Sequence, residues 1–250
     1  MKAHLFPYSG REGENMESYR KWEQDSSLPW VLFLHGWGQN KESLFSLQSS
    51  LATFCNTIYI DLPGFCIPLY KPWKIEDYLL YIRTILQKEK IKIRLIVGHS
   101  FGGKVASFYA SRIEDVPLIL LAPSIEQPRL SIYRRLQMKS YHFLKKHSFG
   151  KLFLRRFKGS RDYQKSQGDV RRTFLKMIHT YPKEELFKIH HSVYILWGEE
   201  DEEVRKNDLK KAIKRCRSAQ LITIKGNHFA YRRNTEYIGR LVQHLLENEL

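Results

Sequence analysis

Three loop positions carry residue types that together could turn a hydroxyl into a nucleophile. Gly98-His99-Ser100-Phe101-Gly102-Gly103 follows an apolar run, Ile93 to Val97, and precedes a helical pattern beginning near Lys104. This is G-x-S-x-G in a strand-turn-helix setting, the form of a nucleophile elbow. A serine on so tight a turn needs neighbours without Cβ atoms, so that sheet and helix can approach while Ser100 Oγ stands clear. The helix then aims its positive amino end at charge developing beside Ser100. The plainer alternative is a glycine-rich βα turn with an exposed serine.

A serine hydroxyl needs a base, and a base needs an orienting carboxylate. Gly198-Glu199-Glu200-Asp201-Glu202-Glu203-Val204 follows the run Val193 to Trp197, and Gly226-Asn227-His228-Phe229 follows Leu221 to Ile224. His228 would take the proton of Ser100 and return it to the leaving group, while Asp201 holds the imidazole tautomer. The order Ser, Asp, His is that of the elbow-type fold. Four neighbouring glutamates leave the choice of acid open by pattern, and the run also suits a solvated helix start. His35-Gly36-Trp37-Gly38 ends another run, Trp30 to Leu34, where backbone N–H groups of Trp37 and Phe101 could converge on an oxyanion. His35 reads as a structural histidine bonded to that loop.

The elements that must position these residues are short, near-continuous apolar runs: Trp30 to Leu34, Thr57 to Ile60, Ile93 to Val97, Leu118 to Leu121, Val193 to Trp197 and Leu221 to Ile224. Such runs read as strands of a parallel sheet covered on both faces. Helical spacing separates them, as in Ile75, Tyr78, Leu79, Ile82, Ile85 and Leu86, or Tyr237, Leu241, Val242 and Leu245. Strand alternating with helix predicts an α/β fold with a mostly parallel, doubly wound sheet. Ligands of such sheets bind at the carboxyl edge, where the loops bearing Ser100, Asp201 and His228 would meet. The alternation breaks between Ser124 and His190, where Arg129 to Lys146, Leu152 to Phe157, Val170 to His179 and Lys183 to Lys188 read as helices. The expected organisation is a core of residues 1–124 and 190–250 with a helical insertion at 125–189.

The chain has 250 residues, with 42% hydrophobic and 27% charged, enough apolar side chain for one large core and too much for disorder. Three cysteines, Cys55, Cys66 and Cys216, with no CxxC pair, fit neither a disulfide framework nor a zinc site. The first ten residues lack the apolar run of a signal peptide, and no stretch approaches a membrane span, so a cytoplasmic protein is expected. The net charge is +16, and the segment Ile125 to His190 holds 17 Lys/Arg against 5 Asp/Glu, so most of the excess lies in the insertion. That basic face could steer an anionic substrate or an acidic protein; the plainer reading is the solvated side of packed helices.

The set His35-Gly36-Trp37-Gly38, Asp61-Leu62-Pro63-Gly64-Phe65, Gly98 to Gly103, Gly198 to Val204 and Gly226-Asn227-His228 resembles the α/β-hydrolase superfamily, in its branch of capped serine esterases and carbon–carbon hydrolases. The resemblance covers roughly residues 28–124 and 190–248. It implies the α/β-hydrolase fold, the insertion as a cap over the site, and a triad of Ser100, His228 and Asp201, the last matching the family's G-x-x-D-x-x-V acid. It gives Asp61 a structural role, and it departs from the family at Cys66-Ile67-Pro68. Serine rather than aspartate as nucleophile sets the chain apart from the dehalogenases of the fold. The implied activity is cleavage of a carboxylic ester, small-molecule or carrier-bound, through an acyl-enzyme. The chain is also similar to the carboxylesterase of biotin synthesis, whose substrate rides on acidic acyl carrier protein. No metal or dinucleotide motif accompanies the triad, so no cofactor and no nucleic acid are expected. The rival class is a non-catalytic binding protein on the same scaffold, using the basic cap for an anionic partner.

Overall fold

The computed structural model describes residues 18–126, 164–214 and 216–249. Seven strands form one sheet: β1 (Tyr19–Trp22), β2 (Trp30–Leu34), β3 (Asn56–Ile60), β4 (Ile93–His99), β5 (Leu118–Leu121), β6 (Val193–Gly198) and β7 (Ala219–Ile224). Their spatial order is β1-β3-β2-β4-β5-β6-β7, parallel throughout except for β1, which pairs antiparallel with β3. The chain winds outward from β2 toward β3 on one side and from β4 to β7 on the other, so the sheet is doubly wound. Residues 19–22 carry no strand expectation from the sequence, because Arg20 and Lys21 break any apolar run; the strand sits at the sheet edge, where polar residues are tolerated.

Although the central strands are buried at nearly every position, their side chains still divide by alternation. Leu32 and Leu34 of β2, Ile96 of β4 and Leu118 and Leu120 of β5 point to one core, shared with α1 (Ile75–Lys88), α2 (Phe101–Arg112) and Leu209 of α4 (Lys206–Ile213). Val31 and Phe33, Leu95 and Val97, Ile119 and Leu121 point to the other, shared with α5 (Thr235–Asn248) and the 3₁₀ segment Lys41–Ser50. Each fully buried aliphatic side chain stabilises by roughly 1.5–3 kcal/mol, so two such layers dominate the folding free energy. The Lys41–Ser50 segment is absent from the sequence expectation: its buried Leu44 and Leu47, with Leu51 just beyond it, recur at three or four residues, but seven of its ten side chains are polar or charged.

Within residues 125–189 the described part holds α3 (Gly168–Met177) and a 3₁₀ turn, Glu185–Lys188, where the sequence suggested a helix from 183. The expected helices Arg129–Lys146 and Leu152–Phe157 lie outside the described residues. No helix among the described residues is long and apolar enough to cross a membrane.

α3 is tied to the core by named contacts. Trp73 N–H donates to Thr173 Oγ1 at 2.8 Å, Phe174 meets the Trp37 ring edge-on at 5.1 Å, and buried Lys104 of α2 donates from Nζ to the Met177 carbonyl at 2.7 Å. That carbonyl belongs to the last turn of α3, where an ammonium complements the helix dipole. The Lys104 amine also lies 4.5 Å from the centre of the Tyr181 ring. Burial pushes Lys104 down from 10.5 to about 7. Between those values the unfolded chain binds the proton that the folded chain has released, so stability rises with pH across the window. Lys104→Met is expected to shrink the gain in unfolding free energy between pH 7 and pH 10, measured by urea denaturation; a gain equal to wild type would show that the amine is not perturbed.

Candidate active site

The turn after β4 sets the site. Ser100 has φ 50° and ψ −108°, a left-handed conformation that a non-glycine residue adopts only when its surroundings enforce it. The enforcing contacts are main-chain: Ser100 N–H donates to the Leu121 carbonyl at 2.9 Å, and Ser100 O accepts from Lys104 N–H at 3.2 Å. Phe101 opens α2, so its N–H is a first-turn donor without an intrahelical acceptor. Glycine is required next to it. A Cβ on Gly102 would lie 2.1 Å from the Leu34 carbonyl oxygen and 2.6 Å from that of His35. This close approach seats α2 on the end of β2 and brings Trp37 to Phe101, whose rings meet edge-on at 5.1 Å.

The opposite wall comes from the ends of β6 and β7. Asp201 and His228 are both buried, and His228 Nδ1 lies 2.9 Å from Asp201 Oδ2. Asp201 Oδ1 accepts the N–H groups of Glu203 at 2.8 Å and Val204 at 2.9 Å. Burial works against its charge, but the bonds from His228 and from these two N–H groups prevail and hold its carboxyl below the ordinary range. An ionised Asp201 accepts the Nδ1 proton of His228, leaving Nε2 of the neutral ring as a lone pair. Of the five carboxylates in the acidic run, Asp201 is the one on Nδ1. Glu203, mostly exposed, places Oε2 3.5 Å from Nε2.

The structure thus joins His228 to Asp201 and places Ser100 on the adjoining turn. Among the described residues Ser100 Oγ makes no hydrogen bond to the imidazole. Trp37 and Phe101 lie side by side, and Trp37 N–H enters no main-chain hydrogen bond among the described residues. His35 is fully buried; its Nδ1–H donates to the Gly36 carbonyl at 2.8 Å and its Nε2 accepts Leu62 N–H at 2.9 Å. Burial brings it down to about 4, so it is a neutral bracket between loops. Asp61, also buried, accepts Lys41 N–H at 2.7 Å and Lys41 Nζ at 2.6 Å. No group of three or more His, Cys, Asp or Glu side chains among the described residues is placed to hold a metal ion.

Two participants escaped the sequence reading. His99, buried beside the serine, has Nδ1 2.8 Å from Gln39 Oε1 and Nε2 3.1 Å from the His228 carbonyl oxygen. Gln39 Oε1 also accepts Gly36 N–H at 2.9 Å. Burial brings His99 down to about 3. His99 therefore links the loop after β2 with the loop after β7. Its type and position were visible inside the serine motif, but its partners lie 60 and 129 residues away.

If the approach of α2 to β2 is as close as Gly102 indicates, Gly102→Ala costs about 3 kcal/mol, because the added methyl meets backbone rather than a movable side chain. Urea denaturation measures this, and an unchanged midpoint would contradict the close approach.

Comparison with known proteins agrees with this architecture. A sequence model described as the alpha/beta hydrolase family matches residues 31–240. A serine hydrolase-like protein of Danio rerio is 30% identical over 97 residues, which are 36% of this chain and 30% of that protein. A 2-succinyl-6-hydroxy-2,4-cyclohexadiene-1-carboxylate synthase of Salmonella arizonae is 33% identical over 89 residues, 34% of each chain. The matches span about a third of the length of these curated relatives. An esterase from Exiguobacterium antarcticum superposes with a TM-score of 0.69 at 14% identity, over 92% of this chain and 95% of its own, a likeness of fold alone. With the family's pattern running through both halves of the sheet that carries Ser100, Asp201 and His228, the chain belongs to the alpha/beta hydrolase family.

Proposed function

We propose that this protein is a serine hydrolase that cleaves a carboxylic ester through Ser100, His228 and Asp201. The single observation that carries the reading is the buried 2.9 Å contact between His228 Nδ1 and Asp201, next to a serine held at φ 50° on the turn before α2. Ser100 Oγ attacks the acyl carbon while His228 Nε2 takes its proton; the same proton then leaves with the alcohol, giving an acyl-enzyme. Water, deprotonated by His228, attacks the acyl carbon, releases the acid and restores Ser100. Main-chain N–H groups of Trp37 and Phe101 receive the tetrahedral oxyanion, and each such donor is worth about 10²- to 10³-fold in rate. The missing Ser100–His228 hydrogen bond is compatible with this cycle, since catalytic contacts often tighten only with substrate present.

Residues 125–189 are read as a cap over this edge of the sheet, supported by Phe174 of α3 lying against Trp37. Small-molecule and carrier-bound acyl esters both belong to the proposed substrate range, with the basic charge of that segment as the feature that an acidic carrier would meet. A cytoplasmic location is part of the same proposal.

A fluorophosphonate probe is expected to label the wild-type protein covalently and to leave Ser100→Ala unlabelled. A folded wild type that resists labelling would favour a non-catalytic binding protein on this scaffold. Asp201→Asn and His228→Ala are expected to lower kcat for a p-nitrophenyl ester by about 10⁴-fold or more, with circular dichroism retained. Wild-type rates in either variant would remove that residue from the mechanism.

A further inference from the structure

A cleft of about 870 Å³ opens beside Trp37, with Phe65 and Val170 among its apolar walls and Glu42, Lys165 and Arg232 as its charged residues. It shares Trp37 and Gly38 with the loop proposed to receive the oxyanion, while Ser100, Phe101 and His228 are not among its lining residues.

Among the described residues Arg232 has no carboxylate partner, and neither it nor Lys165 pairs with Glu42 in the same cleft. Its guanidinium is held by aromatic faces instead, 5.0 Å from the Phe229 ring centre and 5.8 Å from that of Tyr231. Those rings are fixed: Tyr231 is buried and donates its hydroxyl proton to the Ser43 carbonyl at 3.1 Å, and Phe229 packs 5.4 Å from the His228 ring. Ring stacking positions a guanidinium without using its N–H donors, and those donors match a planar carboxylate. Among the described residues, the charged side chains of the cleft sum to one positive charge.

We propose that Arg232 is a specificity-determining residue and that the preferred esters carry a carboxylate on the acyl portion, bound by Arg232 in this cleft. The inference rests on the serine-hydrolase reading above and adds the substrate class to it. The reacting step is the one already given, with the carboxylate unchanged in the product.

The test compares p-nitrophenyl hydrogen glutarate with p-nitrophenyl valerate, which match in acyl length and differ in the terminal charge. The wild type is expected to show a higher kcat/KM for the glutarate ester. Arg232→Gln is expected to lower the ratio of the two kcat/KM values about tenfold, through KM of the glutarate ester, as expected for loss of one charge-assisted contact. Arg232→Lys keeps the charge but loses the fork, and should lie between. Added 0.5 M NaCl should lower the wild-type ratio more than that of Arg232→Gln. A ratio in Arg232→Gln equal to that of wild type overturns the inference while leaving the hydrolase reading in place. If the wild type cleaves neither ester and resists the fluorophosphonate, the hydrolase reading itself fails and this inference with it.

Discussion

The approach of two backbones at Gly102 is the constraint on which the site depends. The start of α2 touches the end of β2 with no room for a methyl group, and this seats the Ser100 turn between β2 and β5. Without that contact α2 would stand off the sheet, its first-turn N–H groups would lose their place beside Trp37, and the serine would be free to relax from its left-handed conformation. A local steric fact, the absence of one Cβ, thereby becomes a condition for the electrostatics of the whole pocket.

Around that fixed turn the polar groups are arranged to keep imidazoles neutral and one carboxylate charged. His35 and His99 are buried and far below the ordinary histidine range, so each acts as a fixed bracket. Asp201 is also buried, yet three hydrogen bonds keep its charge favourable, and that charge fixes the proton of His228 on Nδ1. Opposite behaviour in one small volume arises from hydrogen-bond sense: the histidines lose charge through desolvation, while the carboxylate accepts from donors that only its ionised form suits.

Much of this was legible in the sequence because its causes are local. The runs of β2, β4, β5 and β6 are apolar at nearly every position, and the structure starts each of them at the residue where the run begins. The glycines around Ser100 announce the tight turn by composition. What escaped is non-local or marginal. β1 is four residues long and takes its place from pairing with β3, not from its own pattern. Choosing among five neighbouring carboxylates depends on a loop conformation that no spacing encodes, and the resemblance to a family supplied what periodicity could not. Gln39 gave no signal at all, since an amide side chain in a loop has many bland uses until its neighbour from another loop is known.

His99 has a consequence of its own. Gly36 N–H fixes the oxygen of the Gln39 amide toward the ring, so both nitrogens of His99 look at oxygen atoms, and a neutral imidazole owns a single proton. With the proton on Nε2 the carbonyl of residue 228 is gripped and the glutamine meets a lone pair; with it on Nδ1 the reverse holds. The two loops flanking the nucleophile therefore compete for one hydrogen, and tightening either necessarily loosens the other.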